Sequence, residues 1–158
     1  MSFNKDLRKK NKTCSNFGLV CSTFNNKLSA VMLNSCIHEL ESKLRKEESI
    51  FVSKTFGSLE IPFMLQKLIS LKRFSVLIAL GIVIRGDTSH YDVVVRESAR
   101  GILDLSLASG VPIINGILAV ENRKQAEERL EKRGRESAIA GLQLIKEFRR
   151  IEDDLLEK

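Results

Sequence analysis

Val76-Leu-Ile-Ala-Leu-Gly-Ile-Val-Ile84 is the longest unbroken apolar stretch of the chain, nine residues. It runs directly into Arg85-Gly-Asp-Thr-Ser-His-Tyr-Asp92. Apolar side chains at every position, rather than at alternate ones, are what a parallel strand covered on both faces requires. Nine residues fall far short of the ~20 that a membrane-spanning helix needs. The glycine turn that follows carries hydroxyls, and Ser89 and Asp92 have the spacing of a capping box. That predicts a helix from Ser89 to about Ser109, stopped by Gly110 and Pro112.

Outward from this segment the same alternation repeats. Asn16–Ser22 is a short apolar run, and 3–4 spacing of apolar residues predicts a helix over Asn26–Lys46. Ile50–Lys54 reads as a second strand, and Pro62 stands in the first turn of a helix reaching Leu71. Ile113–Val120 reads as a fourth strand, followed by helices over Asn122–Lys132 and Glu136–Leu156 with Gly134 between them. Strands and helices alternating in units of roughly 30 residues imply the α/β class. The expected architecture is an open, four-stranded parallel sheet with helices on both faces. Residues 16–158 read as one domain, preceded by a basic, flexible tail over residues 1–15.

Composition narrows the function classes. The 158-residue chain is 43% apolar and carries a net charge of +6. The charge is uneven: residues 1–12 contribute +4, residues 13–120 hold 11 basic and 9 acidic groups, and residues 121–158 hold 10 of each. A nearly balanced domain behind a basic tail argues against nucleic-acid binding by the folded part. No apolar signal region follows the N-terminal charges, so a soluble, cytoplasmic protein with no membrane contact is expected. Cys14, Cys21 and Cys36 form no Cys-x-x-Cys pair and read as reduced thiols. His38 and His90 fall in separate units, so no metal cluster is expected. Nucleotide-binding glycine motifs and the serine-hydrolase elbow are absent.

In an open parallel sheet, ligands bind beyond the carboxyl ends of the strands. Phe24 follows the first strand and is either a core anchor or an exposed stacking plate; the burial habits of aromatic side chains favour core. Gly57-Ser58-Leu59-Glu60 follows the second strand, with Ser58 a helix N-cap candidate and Glu60 either a first-turn carboxylate or an acceptor for ligand hydroxyls. After the third strand, Thr88 and Ser89 open a helix whose free N–H groups suit an anion, and His90 stands beside them as a proton carrier. Arg129 lies in the helix after the fourth strand, on a charged face, and arginine is the preferred planar partner of phosphate.

These residues are similar to a known family. Ile82-Val-Ile-Arg-Gly-Asp-Thr-Ser-His-Tyr-Asp92 resembles the signature of the 6,7-dimethyl-8-ribityllumazine synthases, which act in riboflavin biosynthesis. Ser22-Thr-Phe-Asn25, Gly57-Ser-Leu-Glu-Ile-Pro62 and Glu121-Asn-x-x-Gln-Ala-x-x-Arg129 match in order, so the resemblance spans roughly residues 16–148. It implies a three-layer α/β/α, flavodoxin-like fold. It also implies condensation of 5-amino-6-(D-ribitylamino)uracil with 3,4-dihydroxy-2-butanone 4-phosphate, releasing phosphate and water without metal or organic cofactor. Pentamers or pentamer-based shells, with active sites between subunits, are the implied assembly, and riboflavin synthase is an implied partner.

By position, the resemblance gives Phe24 the stacking on the pyrimidine, with Asn25 beside it, and Ser58, Leu59 and Glu60 the ribityl chain. It gives the backbone of Ile82, Val83 and Ile84 the pyrimidine edge, Asp87 and Thr88 the phosphate, and His90 the proton transfer. Asn115 and Arg129 would reach in from a neighbouring subunit, Arg129 onto the phosphate. Arg133 falls where the family has a lysine near the ligand. Four departures stand out: Leu59 and Asn115 replace phenylalanines, Phe56 replaces a proline, and the stretch from Arg129 to Gly134 is about four residues shorter than the family linker. They leave a non-catalytic ligand-binding or shell-forming relative as the alternative reading.

Overall fold

The structure is a computed structural model that describes residues 16–156. The basic segment 1–15, expected as a tail, lies outside the described residues, and Cys14 with it. Four strands alternate with four helices: β1 (Asn16–Ser22), α1 (Asn26–Glu41), β2 (Ser49–Thr55), α2 (Ile61–Ser70), β3 (Val76–Ile84), α3 (His90–Ser109), β4 (Ile113–Val120) and α4 (Arg123–Leu156). The strands form one all-parallel sheet in the order β2-β1-β3-β4. The fold is the expected three-layer α/β/α sandwich of flavodoxin-like type.

β3 owes its unbroken apolar sequence to its place at the centre. Val76, Ile78, Leu80 and Ile82 point into one core with Phe17 and Leu19 of β1, Met32, Cys36 and Leu40 of α1, and Ala126, Leu130 and Ala138 of α4. Leu77 and Ala79 point the other way, into a second core with Val20, Ile61, Leu65 and Leu68, and Ile102 of α3. Successive strand residues alternate faces, so both sets must be apolar when both faces are covered. Cys21 and Cys36 lie in the first core as free thiols. Burial pushes them up to about 11 and about 12, which keeps both protonated and inert at neutral pH.

The break expected at Gly134 is absent, and α4 is one helix of 34 residues. Gly134 is there for packing. A Cβ at this position would collide with the carbonyl oxygen of Met32 and lie 3.2 Å from the amide of Cys36, both on α1. Ser35 confirms the close approach, its hydroxyl donating to the carbonyl of Glu131 at 2.7 Å. Glycine here lets two helix backbones touch, and the continuous hydrogen-bond ladder tolerates its weak helix propensity. α1 in turn ends earlier than its pattern suggests. Ser42 donates to the carbonyl of Glu39, and the Glu48 carboxylate accepts the amide of Arg45, so residues 42–48 turn towards β2.

Helix propensity and packing make opposite predictions for Gly134→Ala. Propensity alone would add about 1 kcal/mol of stability. The clash with α1 should override it and destabilise the fold by about 1–3 kcal/mol in urea titration. A gain in stability would mean the two helices do not meet at this glycine.

Candidate active site

The crevice follows from the unequal reach of the two central strands. β1 pairs with β3 only as far as Cys21 against Leu80. β3 continues to Ile84, paired on its other side with β4 through Val120. The amide of Arg85 donates to the carbonyl of Val120, whereas the side-chain amide of Asn25 donates to the carbonyl of Ile82 at 2.9 Å. Backbone groups alternate sides along a strand. Ile82 and Ile84 therefore present their peptides to the open side, and the Val83 peptide faces β4.

Beyond that open edge lies a cleft of about 340 Å³. Phe24 and Asn25 enter it from the end of β1, Phe56 to Glu60 from the end of β2, and Ile82 to Ile84 from β3. Thr88, His90, Tyr91 and Val94 close it from the start of α3. Ten residues expected at the site from the sequence thus converge: Phe24, Asn25, Ser58, Leu59, Glu60, Ile82, Val83, Ile84, Thr88 and His90.

Phe24 is no core anchor: it is 69% exposed. Its ring meets that of Phe56, itself 70% exposed, edge to face at 5.7 Å and 85°. Two aromatic faces at right angles form a corner suited to a flat, apolar-faced ring. Phe56 was legible only as a departure from a family pattern, not as part of the cleft. Its position directly after β2 is the signal that places it there.

Ser58 does not cap α2. The N-cap position is Glu60, without a side-chain cap bond. Ser58 is instead 5% exposed, tucked against Gly81, where a Cβ would stand 2.7 Å from its hydroxyl oxygen. Glu60 lies before the helix rather than in its first turn. One carboxylate oxygen accepts the amide of Gly57 at 2.9 Å, which closes the loop and holds the carboxylate at the cleft.

Ser89 occupies the N-cap of α3 but makes no side-chain cap bond, so the expected capping box is not formed. Thr88 Oγ1 accepts the amide of His90 at 3.4 Å. Asp92, the other half of the expected box, turns to Arg85, whose Nη1 and Nη2 donate to its two oxygens at 3.2 Å each. Arg85 Nε donates to Glu121 at 2.7 Å, and its guanidinium carbon lies 4.0 Å from the centroid of the Tyr91 ring. Asp92, then Glu121, push the guanidinium still higher, so Arg85 is a fixed, neutralised cation.

Asp87, Asn115, Arg129 and Arg133 do not line this cleft. Asp87 is exposed between Gly86 and Thr88. Asn115 lies on β4, where its side-chain oxygen accepts the amide of Ile117, and Arg133 donates to its carbonyl at 2.6 Å. These two side chains satisfy backbone groups along the free edge of β4, a usual way of blunting an edge strand. Arg129 is exposed on α4, with Nη1 donating to the carbonyl of Gln125 at 3.3 Å and lying 3.7 Å from Glu128.

Among the described residues that line the cleft there is no lysine or arginine. The cleft therefore offers an aromatic corner, hydroxyls, a carboxylate and an imidazole at a helix start, but no permanent cation of its own. Among the described residues, no helix is long and apolar enough to cross a membrane, and no group of three or more His, Cys, Asp or Glu side chains could hold a metal ion.

Known proteins resemble this chain over most of its length. The profile of the family described as 6,7-dimethyl-8-ribityllumazine synthase matches residues 15–149. A 6,7-dimethyl-8-ribityllumazine synthase of Methylobacillus flagellatus is 40% identical over 141 residues, 89% of each chain. One of Nitrosomonas europaea is 42% identical over 127 residues, 80% of this chain and 77% of its own, and one of Cupriavidus necator is 40% identical over 127 residues, 80% and 76%. With the match running from before β1 to near the end of α4 and across every loop of the cleft, the chain belongs to the 6,7-dimethyl-8-ribityllumazine synthase family of enzymes.

Proposed function

We propose that this protein condenses 5-amino-6-(D-ribitylamino)uracil with 3,4-dihydroxy-2-butanone 4-phosphate to 6,7-dimethyl-8-ribityllumazine, releasing phosphate and water, as a step of riboflavin biosynthesis. The observation that carries this reading is the convergence of Phe24, Glu60 and His90, from three separate loops, on one cleft.

In this reading the pyrimidine stacks on Phe24 with the edge of Phe56 beside it. The peptide of Ile84, and the Ile82 carbonyl that also accepts from Asn25, take its polar edge. Glu60 uses the oxygen not engaged by Gly57 to accept hydroxyls of the ribityl chain, next to Ser58 and Leu59. The phosphate of the second substrate rests at the start of α3, on N–H groups around Asp87 and the hydroxyl of Thr88, where a helix N-terminus favours an anion. His90, in the first turn, passes protons as the amine attacks the ketone, phosphate leaves and the ring closes. Such a placed acid–base group contributes about 10²–10⁴-fold. Holding the two substrates together supplies much of the remainder.

A phosphate dianion calls for a cation, and the cleft supplies none. Arg129 is exposed on the flank of α4, paired only at 3.7 Å, and is suited to reach the cleft of a second copy. A homo-oligomer, pentameric or built of pentamers, with its sites between subunits, completes the chemistry. Asn115 and Arg133 would stand on the same flank. The continuous α4 replaces the family's longer linker and bears on how pentamers pack further.

A second reading, a binding or shell-forming relative without turnover, draws on Asn115, whose side chain is engaged by its own strand. The two readings part on one assay. Purified protein mixed with both substrates should give the fluorescence of the lumazine product, from an oligomer scattering light at a multiple of the 17.8 kDa subunit, five-fold for the pentamer. Binding without product from an intact oligomer would favour the second reading. His90→Ala should lower kcat by about 10²–10⁴-fold with the oligomer intact. Oligomer collapse would make His90 structural. Phe56→Ala should raise KM for the pyrimidine up to about ten-fold, the equivalent of ~0.5–1.5 kcal/mol of aromatic contact. An unchanged KM would remove Phe56 from the site.

A further inference from the structure

We propose that Arg85 is a positioning residue that sets the His90-bearing turn of α3 by bridging two loops at the carboxyl edge of the sheet. The inference rests on the functional reading above and adds to it the device that orients its proton-transfer group.

The argument begins with what that turn lacks. A helix start leaves four amides without intrahelical partners, and a side-chain cap usually holds the first turn. Ser89 makes no cap bond, and the Thr88 hydroxyl is a distant 3.4 Å from the His90 amide. The chain nevertheless has to hold His90, Thr88 and Tyr91 at one wall of the cleft. Arg85 supplies the missing constraint. It is bidentate to Asp92, in the first turn of α3, and its plane covers the ring of Tyr91, the residue between His90 and Asp92. Its remaining edge is fixed by Glu121, after β4. Glu121 is itself tied down, its amide donating to the side-chain oxygen of Gln125 in α4.

Only arginine fits this place. Its rigid planar fork offers five N–H donors in fixed directions and a face for an aromatic ring. Lysine keeps the charge but cannot make two parallel bonds to Asp92, reach Glu121 and cover Tyr91 at once. Arg85 does not line the cleft, and its donors are directed at two carboxylates. It therefore acts through the turn and not on substrate.

The sequence provides a private reporter. Tyr91 is the only tyrosine and the chain has no tryptophan, so 3-fluorotyrosine incorporation gives a single ¹⁹F line at this site. In the full-length oligomer, Arg85→Lys should move or broaden that line. It should lower kcat by about 10- to 100-fold, the scale of a slightly misplaced catalytic group. KM for the pyrimidine, whose corner is built by other loops, should stay within about two-fold. Glu121→Gln, which leaves Asp92 and Tyr91 in place, should show the same pattern more weakly. An unmoved fluorine line or a wild-type kcat in Arg85→Lys overturns the proposal. Should that variant fail to assemble, a wild-type kcat and an unmoved line in Glu121→Gln overturn it instead. A wild-type protein without turnover overturns the reaction assigned above, and the fluorine line then decides alone whether Arg85 sets this turn.

Discussion

The difference in length between β1 and β3 is the constraint on which the rest of the molecule depends. β3 needs apolar residues on both faces because helices cover both, and those residues carry it past the last pairing with β1. The four residues that overhang, Gly81 to Ile84, keep their partner strand on one side only. Every loop that contributes to the cleft hangs around this overhang. Gly81 belongs to the same device, since any side chain there would expel Ser58 from its place beside the sheet.

Charge divides the cleft into what one chain supplies and what it does not. Arg85 is adjacent but is held by two carboxylates and does not line the cleft. Asn115 and Arg133 seal the free edge of β4. Arg129 alone, of the residues assigned to phosphate by family resemblance, is an exposed cation with only loose contacts, and it stands outside the cleft. In the proposed function the folding unit and the functional unit differ, with an aromatic, hydroxyl and imidazole half from one copy and the cationic flank that carries Arg129 from another.

The parallel sheet and its helices were legible in the sequence because two strong periodicities, continuous apolar strands and 3–4 spaced helices, depend on local residues alone; the cleft residues followed from the carboxyl ends of those strands and from the family resemblance. The sequence was less informative where a side chain had two competing partners. Ser58 and Ser89 have the composition of caps, but Ser58 is drawn into the space at Gly81, and Asp92 prefers the fork of Arg85 to the backbone beside Ser89. Gly134 has the composition of a helix break, but the backbone of α1 approaches it so closely that only glycine fits. Phe24 follows the statistics of buried aromatics until Phe56 gives it a partner at the surface. Each of these outcomes is decided by a residue on another element or loop, outside the local pattern.

Subunit mixing separates the proposed constellation, shared between copies, from one built within a single chain. His90→Ala and Arg129→Ala protomers, each inactive by itself, should regain part of the wild-type turnover when co-assembled, because some interfaces then pair an intact His90 with an intact Arg129. Mixed oligomers that form but stay as inactive as either parent would place both residues in the site of a single chain and rule out the shared site.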